Sequence, residues 1–436
     1  MDMTTYLLMR DRWGGGDGGG AGDATAILDR TITVLENSAT EVGYYAMFSC
    51  QSLLEVSLPE VTHISNGAFT NCYSLSKVYA PNLLSIGHMS VIGSSVTYGA
   101  FASCSALTSI DFPKLSYMDG NAFLSCINLR QVSMPVLSMI GNSAFANCYS
   151  LESAYFPEVT HISSCAFNYC SSLTTVNFPK AVAVGDNSIY GGVFTSCWYL
   201  TSISFPVAET LNAEAFANCL RLESVNFPAL KSIPSRGFYN CAKLTSVSFP
   251  VAKNVGPYAF NLCSKLKTIA LPAATTIGQS AFQDNSYIKV VAASLVETIG
   301  SSAFQNCSSL VSPPYSKVTR IEESAFRGCT QYSLADFKLA TYVGPYAFYG
   351  CSSLSMATFS NLSEIGSYAF GACKILNHLY FKKVELMYTG AFASCSSMYS
   401  VSFPLLSGIP SNAFTNCISL SHAVFPCVKS ISASAF

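Results

Sequence analysis

Phenylalanine recurs along this chain at a fixed interval of 22 residues, from Phe101 to Phe167 and again from Phe194 to Phe436. Nearly every one of these phenylalanines follows an alanine. Counted from each Phe, Leu usually stands at position 6, Val or Ile at 9, Pro at 12, Leu or Val at 14, and Ile or Val at 17. A period of this length indicates a repeat architecture, because one helix or strand cannot produce it.

Within one repeat, the apolar residues at positions 9 and 11 predict a short strand. Residues two apart point to the same side of a strand, and the Pro at position 12 ends it because Pro cannot donate to a sheet ladder. One such coil cannot bury enough apolar surface to fold alone. We therefore expect successive coils to stack, with like residues in columns and the strands in one parallel sheet.

Five consecutive repeats lack the proline at position 12. Their residues there are Ser294, Ser316, Lys338, Ser360 and Lys382. We interpret the change either as sequence drift or as a local change of curvature.

The regular array is predicted to span 47–436, with a truncated last coil. Ten extra residues after Phe69 and five after Phe167 predict insertions at 88–99 and 186–192, which enter at the same position of the coil and emerge from one side.

Two segments precede the array. Residues 1–26 contain GGGDGGGAG and predict a flexible appendage and tether. Residues 27–46 include the alternating stretch Thr31–Val34, and we interpret them as an N-terminal capping strand or degenerate repeat.

Sixteen of the 18 cysteines stand at position 3 of the repeat, and Asn285 fills the one vacancy. We interpret this column as a structural ladder in which a buried Cys or Asn satisfies turn backbone groups from inside. Its clearest members are Cys72, Cys104, Cys126, Cys148, Cys170 and Asn285. Metal binding would need cysteines at shorter spacings. Disulfides between neighbouring coils stay open, because stacked strands would bring the thiols close together.

The stretch from Leu129 to Cys148 follows the pattern L-x-x-V-x-F-P-x-L-x-x-I-G-x-x-A-F-x-x-C almost literally, and the chain resembles the BspA-like leucine-rich repeat family. The resemblance implies an α/β repeat solenoid, right-handed, with about 17 coils and a parallel β-sheet on its concave face. It also implies a non-enzymatic protein-binding scaffold at a bacterial surface, active in adhesion or in host or cell-surface recognition.

Charge and composition narrow the possible partners. Lys and Arg number 23 against 24 Asp and Glu, and this balance predicts neither nucleic acid nor an anionic membrane as a partner. No apolar run approaches the roughly 20 residues that cross a bilayer, and no secretion signal is visible. The sequence contains no recognisable catalytic motif, and we expect no cofactor and no metal.

Two surfaces are candidates for partner binding. The first is the outward side of the predicted strands, which is mostly small and polar except at Tyr79, Tyr155, His378 and Tyr380. The second is formed by the two insertions, since irregular loops on a rigid scaffold often carry recognition. Its candidate residues are Met89, Val91, Ile92, Tyr98, Ile189 and Tyr190.

The partner is therefore predicted to be a protein or cell-surface ligand. The alternative is a prophage or mobile-element protein, associated with a phage tail and tethered by its N-terminus. The first of these functions predicts a location at the cell surface, and the second predicts the cytoplasm or the phage particle. Self-association through the uncapped C-terminal end is a further expectation.

Overall fold

A computed structural model describes residues 34–36, 38–87, 98–186, 191–311 and 315–436. The chain divides into two compact units, Met1–Asn226 and Phe227–Phe436. Each is a stack of coils, and a regular coil contributes two short strands, one near position 9 and one near position 17.

The strands near position 9 of the first unit are three residues long. They are β1 (Val34–Glu36), β3 (Glu55–Ser57), β5 (Lys77–Tyr79), β7 (Ser109–Asp111), β9 (Gln131–Ser133), β11 (Ser153–Tyr155), β13 (Thr175–Asn177), β15 (Ser202–Ser204) and β17 (Ser224–Asn226). The two-residue strands are β2 (Glu41–Val42), β4 (His63–Ile64), β6 (Ser85–Ile86), β8 (Tyr117–Met118), β10 (Met139–Ile140), β12 (His161–Ile162), β14 (Ala183–Val184) and β16 (Thr210–Leu211).

The second unit repeats the arrangement. Its strands near position 9 are β19 (Ser246–Ser248), β21 (Thr268–Ala270), β23 (Val290–Ala292), β26 (Leu334–Asp336), β28 (Met356–Phe359), β30 (His378–Phe381), β32 (Ser400–Ser402) and β34 (His422–Val424). Its shorter strands are β18 (Ser232–Ile233), β20 (Asn254–Val255), β22 (Thr276–Ile277), β24 (Thr298–Ile299), β25 (Arg320–Ile321), β27 (Tyr342–Val343), β29 (Glu364–Ile365), β31 (Leu386–Met387), β33 (Gly408–Ile409) and β35 (Ser430–Ile431).

All strand pairs are parallel, and they join residues of the same repeat position. Ala154 of β11 faces Val132 of β9 on one side and Val176 of β13 on the other. The parallel pairing predicted near position 9 is therefore present, but the strands form several sheets and not the single sheet that was predicted. A second parallel ladder near position 17 accompanies it. This second ladder was not predicted from the sequence, because two residues per coil are too few to show a period of two.

The interior consists of the predicted columns. Phe rings of successive coils lie nearly parallel, with centroids 5.4 Å apart at Phe123–Phe145 in the first unit and 5.3 Å apart at Phe238–Phe260 in the second. The insertions do not interrupt the column, since the Phe69–Phe101 and Phe167–Phe194 centroids are each 5.2 Å apart. The leucine-rich-repeat solenoid fold is confirmed.

The assignment to the α/β class was wrong in one respect, because none of the described residues is helical. The limb around each Phe is a series of turns with left-handed residues two positions before and two after it. Around Phe123 these are Asn121 (φ 58°) and Ser125 (φ 60°). Left-handed residues at this spacing cannot belong to a right-handed helix. Asn and Ser are common at such positions because their short polar side chains form local hydrogen bonds.

The absence of proline at position 12 has a visible effect on two strands. Strands β28 and β30 each have four residues and end at Phe359 and Phe381, directly before Ser360 and Lys382. A residue other than Pro leaves a backbone N–H free to continue a ladder. The change of curvature stays a prediction.

Candidate functional site

The cysteine column is a hydrogen-bonded structural ladder. The thiol of Cys126 donates to the carbonyl oxygen of Phe101 in the preceding coil at 3.2 Å, and the same bond repeats along the stack. Asn285 takes over the role, because its amide nitrogen donates to Phe260 O at 2.7 Å and Phe282 O at 2.9 Å. The predicted function of the column, satisfying turn carbonyls from inside, agrees with these bonds.

The cysteines are not arranged for chemistry. All 18 cysteines lie among the described residues as thiols outside any disulfide, and all but Cys427 are buried. Burial raises the pKa of Cys126 to about 12, so its reactive thiolate form is suppressed at neutral pH. Within the described residues, no group of three or more His, Cys, Asp or Glu side chains could hold a metal ion.

The outward side of the strands near position 9 in the first unit carries an open crevice of about 540 Å³. It lies where the sheet divides, since β5 ends one sheet and β7 begins the next. Tyr79, the last residue of β5, is 60% exposed beside it.

Some of the charged side chains at the crevice are paired with an opposite charge and others are not. Lys77 Nζ lies 2.7 Å from Glu55 Oε1, so these two charges compensate each other. Asp111 is exposed and forms no ion pair among the described residues. The crevice thus combines an aromatic side chain with one uncompensated carboxylate, which suits a basic side chain of a partner.

The other predicted strand residues are also on the surface, but in different places. Tyr155 is 59% exposed on β11, in the middle of a six-stranded sheet. His378 and Tyr380 are exposed together on β30 in the second unit, at the end of a three-stranded sheet. Tyr79 and Tyr155 therefore lie in different sheets of the first unit, whereas His378 and Tyr380 share one strand of the second unit.

Of the predicted insertion residues, only Tyr98 is described. Met89, Val91, Ile92, Ile189 and Tyr190 lie outside the described residues. The Tyr98 ring packs against Tyr45 and Phe48, with centroids 6.1 and 5.7 Å apart, and is 46% exposed. Tyr98 is thus held against the stack and is not a free loop residue.

The two insertions leave the stack through the same local arrangement. Each follows a glycine with positive φ, Gly87 (95°) or Gly185 (82°). In each case a side chain of the next coil occupies the space that a Cβ on the glycine would need. An ideal Cβ on Gly87 would lie 2.3 Å from Asp119 Cβ. An ideal Cβ on Gly185 would lie 2.1 Å from Asn212 Cγ. A side chain at either glycine would therefore clash and be strained.

Polar side chains bridge two coils across these glycines. Across Gly87, Asn66 Nδ2 donates to Asp119 Oδ2 at 3.1 Å. Across Gly185, Asn212 Nδ2 donates to Ser164 Oγ at 3.1 Å. These bridges could not be predicted from the sequence pattern, because their partners are 53 and 48 residues apart.

An aromatic cluster on the turns of the second unit was also missed. The Arg327 guanidinium lies 5.5 and 5.6 Å from the ring centres of Tyr346 and Tyr349, and Tyr346 stacks on Tyr368 at 5.4 Å. The signal is present in the sequence as Tyr-Ala-Phe-Tyr around Phe348. It was overlooked because aromatic anchors were sought only at strand positions and in the insertions, and not on the turns.

The repeat frame matches a known family model, the BspA type leucine-rich repeat region. Six copies of the model cover residues 30–92, 92–191, 187–311 and 319–436. The matches cover most of the chain, and the protein belongs to this family, whose fold is a protein-binding scaffold.

Solved structures give further similarities. A leucine-rich repeat protein from Bacteroides ovatus is 23% identical, with 88% of this chain and 82% of that one covered and a TM-score of 0.45. A leucine-rich cell surface protein from Faecalibacterium prausnitzii is 22% identical, with 79% and 87% covered and a TM-score of 0.36. A leucine-rich repeat protein from Eubacterium ventriosum is 19% identical, with 83% and 88% covered and a TM-score of 0.40.

No curated protein matches the chain. Within the described residues, no helix is long and apolar enough to span a bilayer.

Proposed function

We propose that this protein is a non-enzymatic adhesion scaffold at a cell surface, which recognises a protein on a host or neighbouring cell. The observation that carries the proposal is Tyr79, exposed on a hydrogen-bonded strand beside a crevice that contains the uncompensated carboxylate of Asp111. Tyrosine is enriched among the residues that dominate binding energy, because a large ring is ordered at low entropic cost.

The scaffold around Tyr79 favours binding. Ser57 and Tyr79 are cross-strand partners, and Val56 is buried behind them, so the backbone under the crevice is fixed before a partner arrives. A preorganised surface loses less entropy on association than a flexible one. The partner is expected to present a Lys or Arg to Asp111, with its apolar stem against the Tyr79 ring.

The test is flow cytometry of the fluorescently labelled full chain on cultured epithelial cells. Binding should disappear after the cells are treated with trypsin, because the receptor is proposed to be a protein. Tyr79→Ser should weaken binding about tenfold. Tyr149→Ser removes a tyrosine that is 47% exposed but lies outside the strands, and it should leave binding unchanged.

Binding that survives trypsin, or that both variants weaken equally, contradicts the proposal. The phage-tail alternative stays a prediction from the sequence, and tail-assembly genes beside this one would favour it.

A further inference from the structure

The near-neutral net charge conceals two regions of opposite sign. Met1–Asn226 contains 8 Lys and Arg against 17 Asp and Glu, whereas Phe227–Phe436 contains 15 against 7. The second unit therefore carries a net charge of +8 in a chain whose total is −1. The prediction that excluded nucleic acid and an anionic membrane rested on the total charge, and a local field of one sign can attract a polyanion.

Four of its lysines form a strip on three consecutive coils. Lys243 and Lys265 stand at position 5 of their repeats, and Lys267 and Lys289 stand at position 7. Position 6 between them is buried in each coil, as Leu244, Leu266 and Ile288. Positions 5 and 7 consequently face outward, and all four lysines are exposed.

Members of the lysine strip are direct neighbours across coils. The Lys289 amide donates to the Lys267 carbonyl at 2.8 Å, which places the two side chains on adjacent coils at the same repeat position. Lys243 and Lys265 are likewise one coil apart. No ion pair involves any of the four in the part of the chain that the structure describes.

Folding alone does not explain this arrangement. Like charges on directly opposite residues of neighbouring strands are destabilising. In the first unit, position 7 of two neighbouring coils carries opposite charges, since Arg130 Nη1 lies 3.4 Å from Glu152 Oε1 in the next coil. Replacing one lysine of the strip by an acidic residue would relieve the repulsion between neighbouring ammonium groups, yet all four positions carry lysine. This retained repulsion indicates that the lysines face an external anion.

We propose that the lysine strip binds an anionic polysaccharide that carries sulfate or carboxylate groups. The strip runs across three coils about 4.8 Å apart, so it matches an extended polymer with repeated charges. The exposed hydroxyls of Ser246, Ser248 and Thr268 on β19 and β21 lie on the same coils and can hydrogen-bond to sugars.

An aromatic ring completes the strip. Tyr287 follows Lys243 and Lys265 at position 5, is 51% exposed, and has the Lys265 ammonium 5.0 Å from its ring centre. Proteins that bind single-stranded nucleic acid stack successive bases on several aromatic rings. One ring among hydroxyls and ammonium groups fits a charged sugar chain better.

The test measures binding of the full chain to immobilised heparin by biolayer interferometry at several salt concentrations. The wild type should bind. Lys267→Gln with Lys289→Gln should weaken binding about tenfold at moderate salt and reduce the slope of log affinity against log salt by about two. The matched control, Lys382→Gln with Lys383→Gln, removes the same charge from two exposed lysines outside the strip and should change little.

Three results would overturn the proposal: no heparin binding, equal loss in the control, or preference for another polyanion. The last is checked by competition with a thymidine oligonucleotide and with polyglutamate, each of which should compete less well than heparin. Thermal unfolding confirms that the variants fold, and the strip variant should melt at or slightly above the wild-type temperature. This inference does not depend on the crevice at Tyr79.

Discussion

In the first unit, charged side chains on neighbouring coils pair with opposite charges, as in Lys77–Glu55 at 2.7 Å. In the second unit, Lys267 and Lys289 are neighbours of the same sign. The interiors do not differ in this way, since both units stack phenylalanines and bury hydrogen-bonded thiols. The comparison shows that a repeat fold allows surface charge to change from coil to coil while the core stays constant, so surface charge can be adapted to binding without a change in the fold.

Alkaline pH gives the largest test of the shared interior. Burial raises the pKa of Cys126 in the first unit to about 12, and that of Cys373 in the second well above 9.0. Unfolded thiols ionise near 9.0, whereas these thiols resist ionisation. Their contribution to the free energy of unfolding is therefore complete below pH 9 and is lost as the pH rises towards 12.

Both units should unfold over this same alkaline range. Circular dichroism monitors both, and tryptophan fluorescence monitors the first unit, which contains both tryptophans. Coincident transitions are expected. Two separate transitions would show that the interiors differ after all.

Removing one ring from the phenylalanine column should destabilise either unit by a similar amount. Phe123→Ala and Phe260→Ala should each lower the free energy of unfolding by about 3–5 kcal/mol, because both rings are fully buried between two others. Urea unfolding measures the loss. A much smaller cost in one unit would mean that its column can collapse around the cavity.

A buried tyrosine of the second unit offers a stabilising change. Tyr332 occupies the usual Leu position, is fully buried, and its hydroxyl has no hydrogen-bond partner among the described residues. Tyr332→Phe should raise the free energy of unfolding by about 1 kcal/mol, because the unpaired polar group is removed. Tyr332→Leu removes the ring as well and so tests the effect of side-chain size separately. A loss of stability in Tyr332→Phe would argue that the hydroxyl does have a hydrogen-bond partner.

Exchanging charges between the units should have the smallest effect. Lys289→Glu creates an opposite-charge pair with Lys267, and Glu152→Lys creates a like-charge pair with Arg130. The first should stabilise and the second destabilise by less than about 1 kcal/mol, because the groups are exposed. Thermal unfolding at low and high salt provides the check, and shifts that do not shrink with salt would exclude an electrostatic origin.

Several parts of the candidate sites could be predicted from the sequence. Tyr79, Tyr155 and Tyr380 are exposed on strands because position 10 alternates with a less exposed position 9, which a period of two reveals. The crevice beside Tyr79 could not be predicted, since it depends on the loss of pairing between β5 and β7. The lysine strip was readable in principle, but the net charge of the whole chain concealed it.

The sequence by itself determined the period, the apolar columns and the role of the Cys and Asn ladder. The physical reason is that every coil has the same apolar positions, and only stacking in register buries all of them. The tertiary structure alone decided where the sheets divide, how Asn66 and Asp119 bridge two coils above Gly87, and which charges become neighbours. These features depend on contacts between residues 22 or more positions apart, and a local pattern contains no information about their geometry.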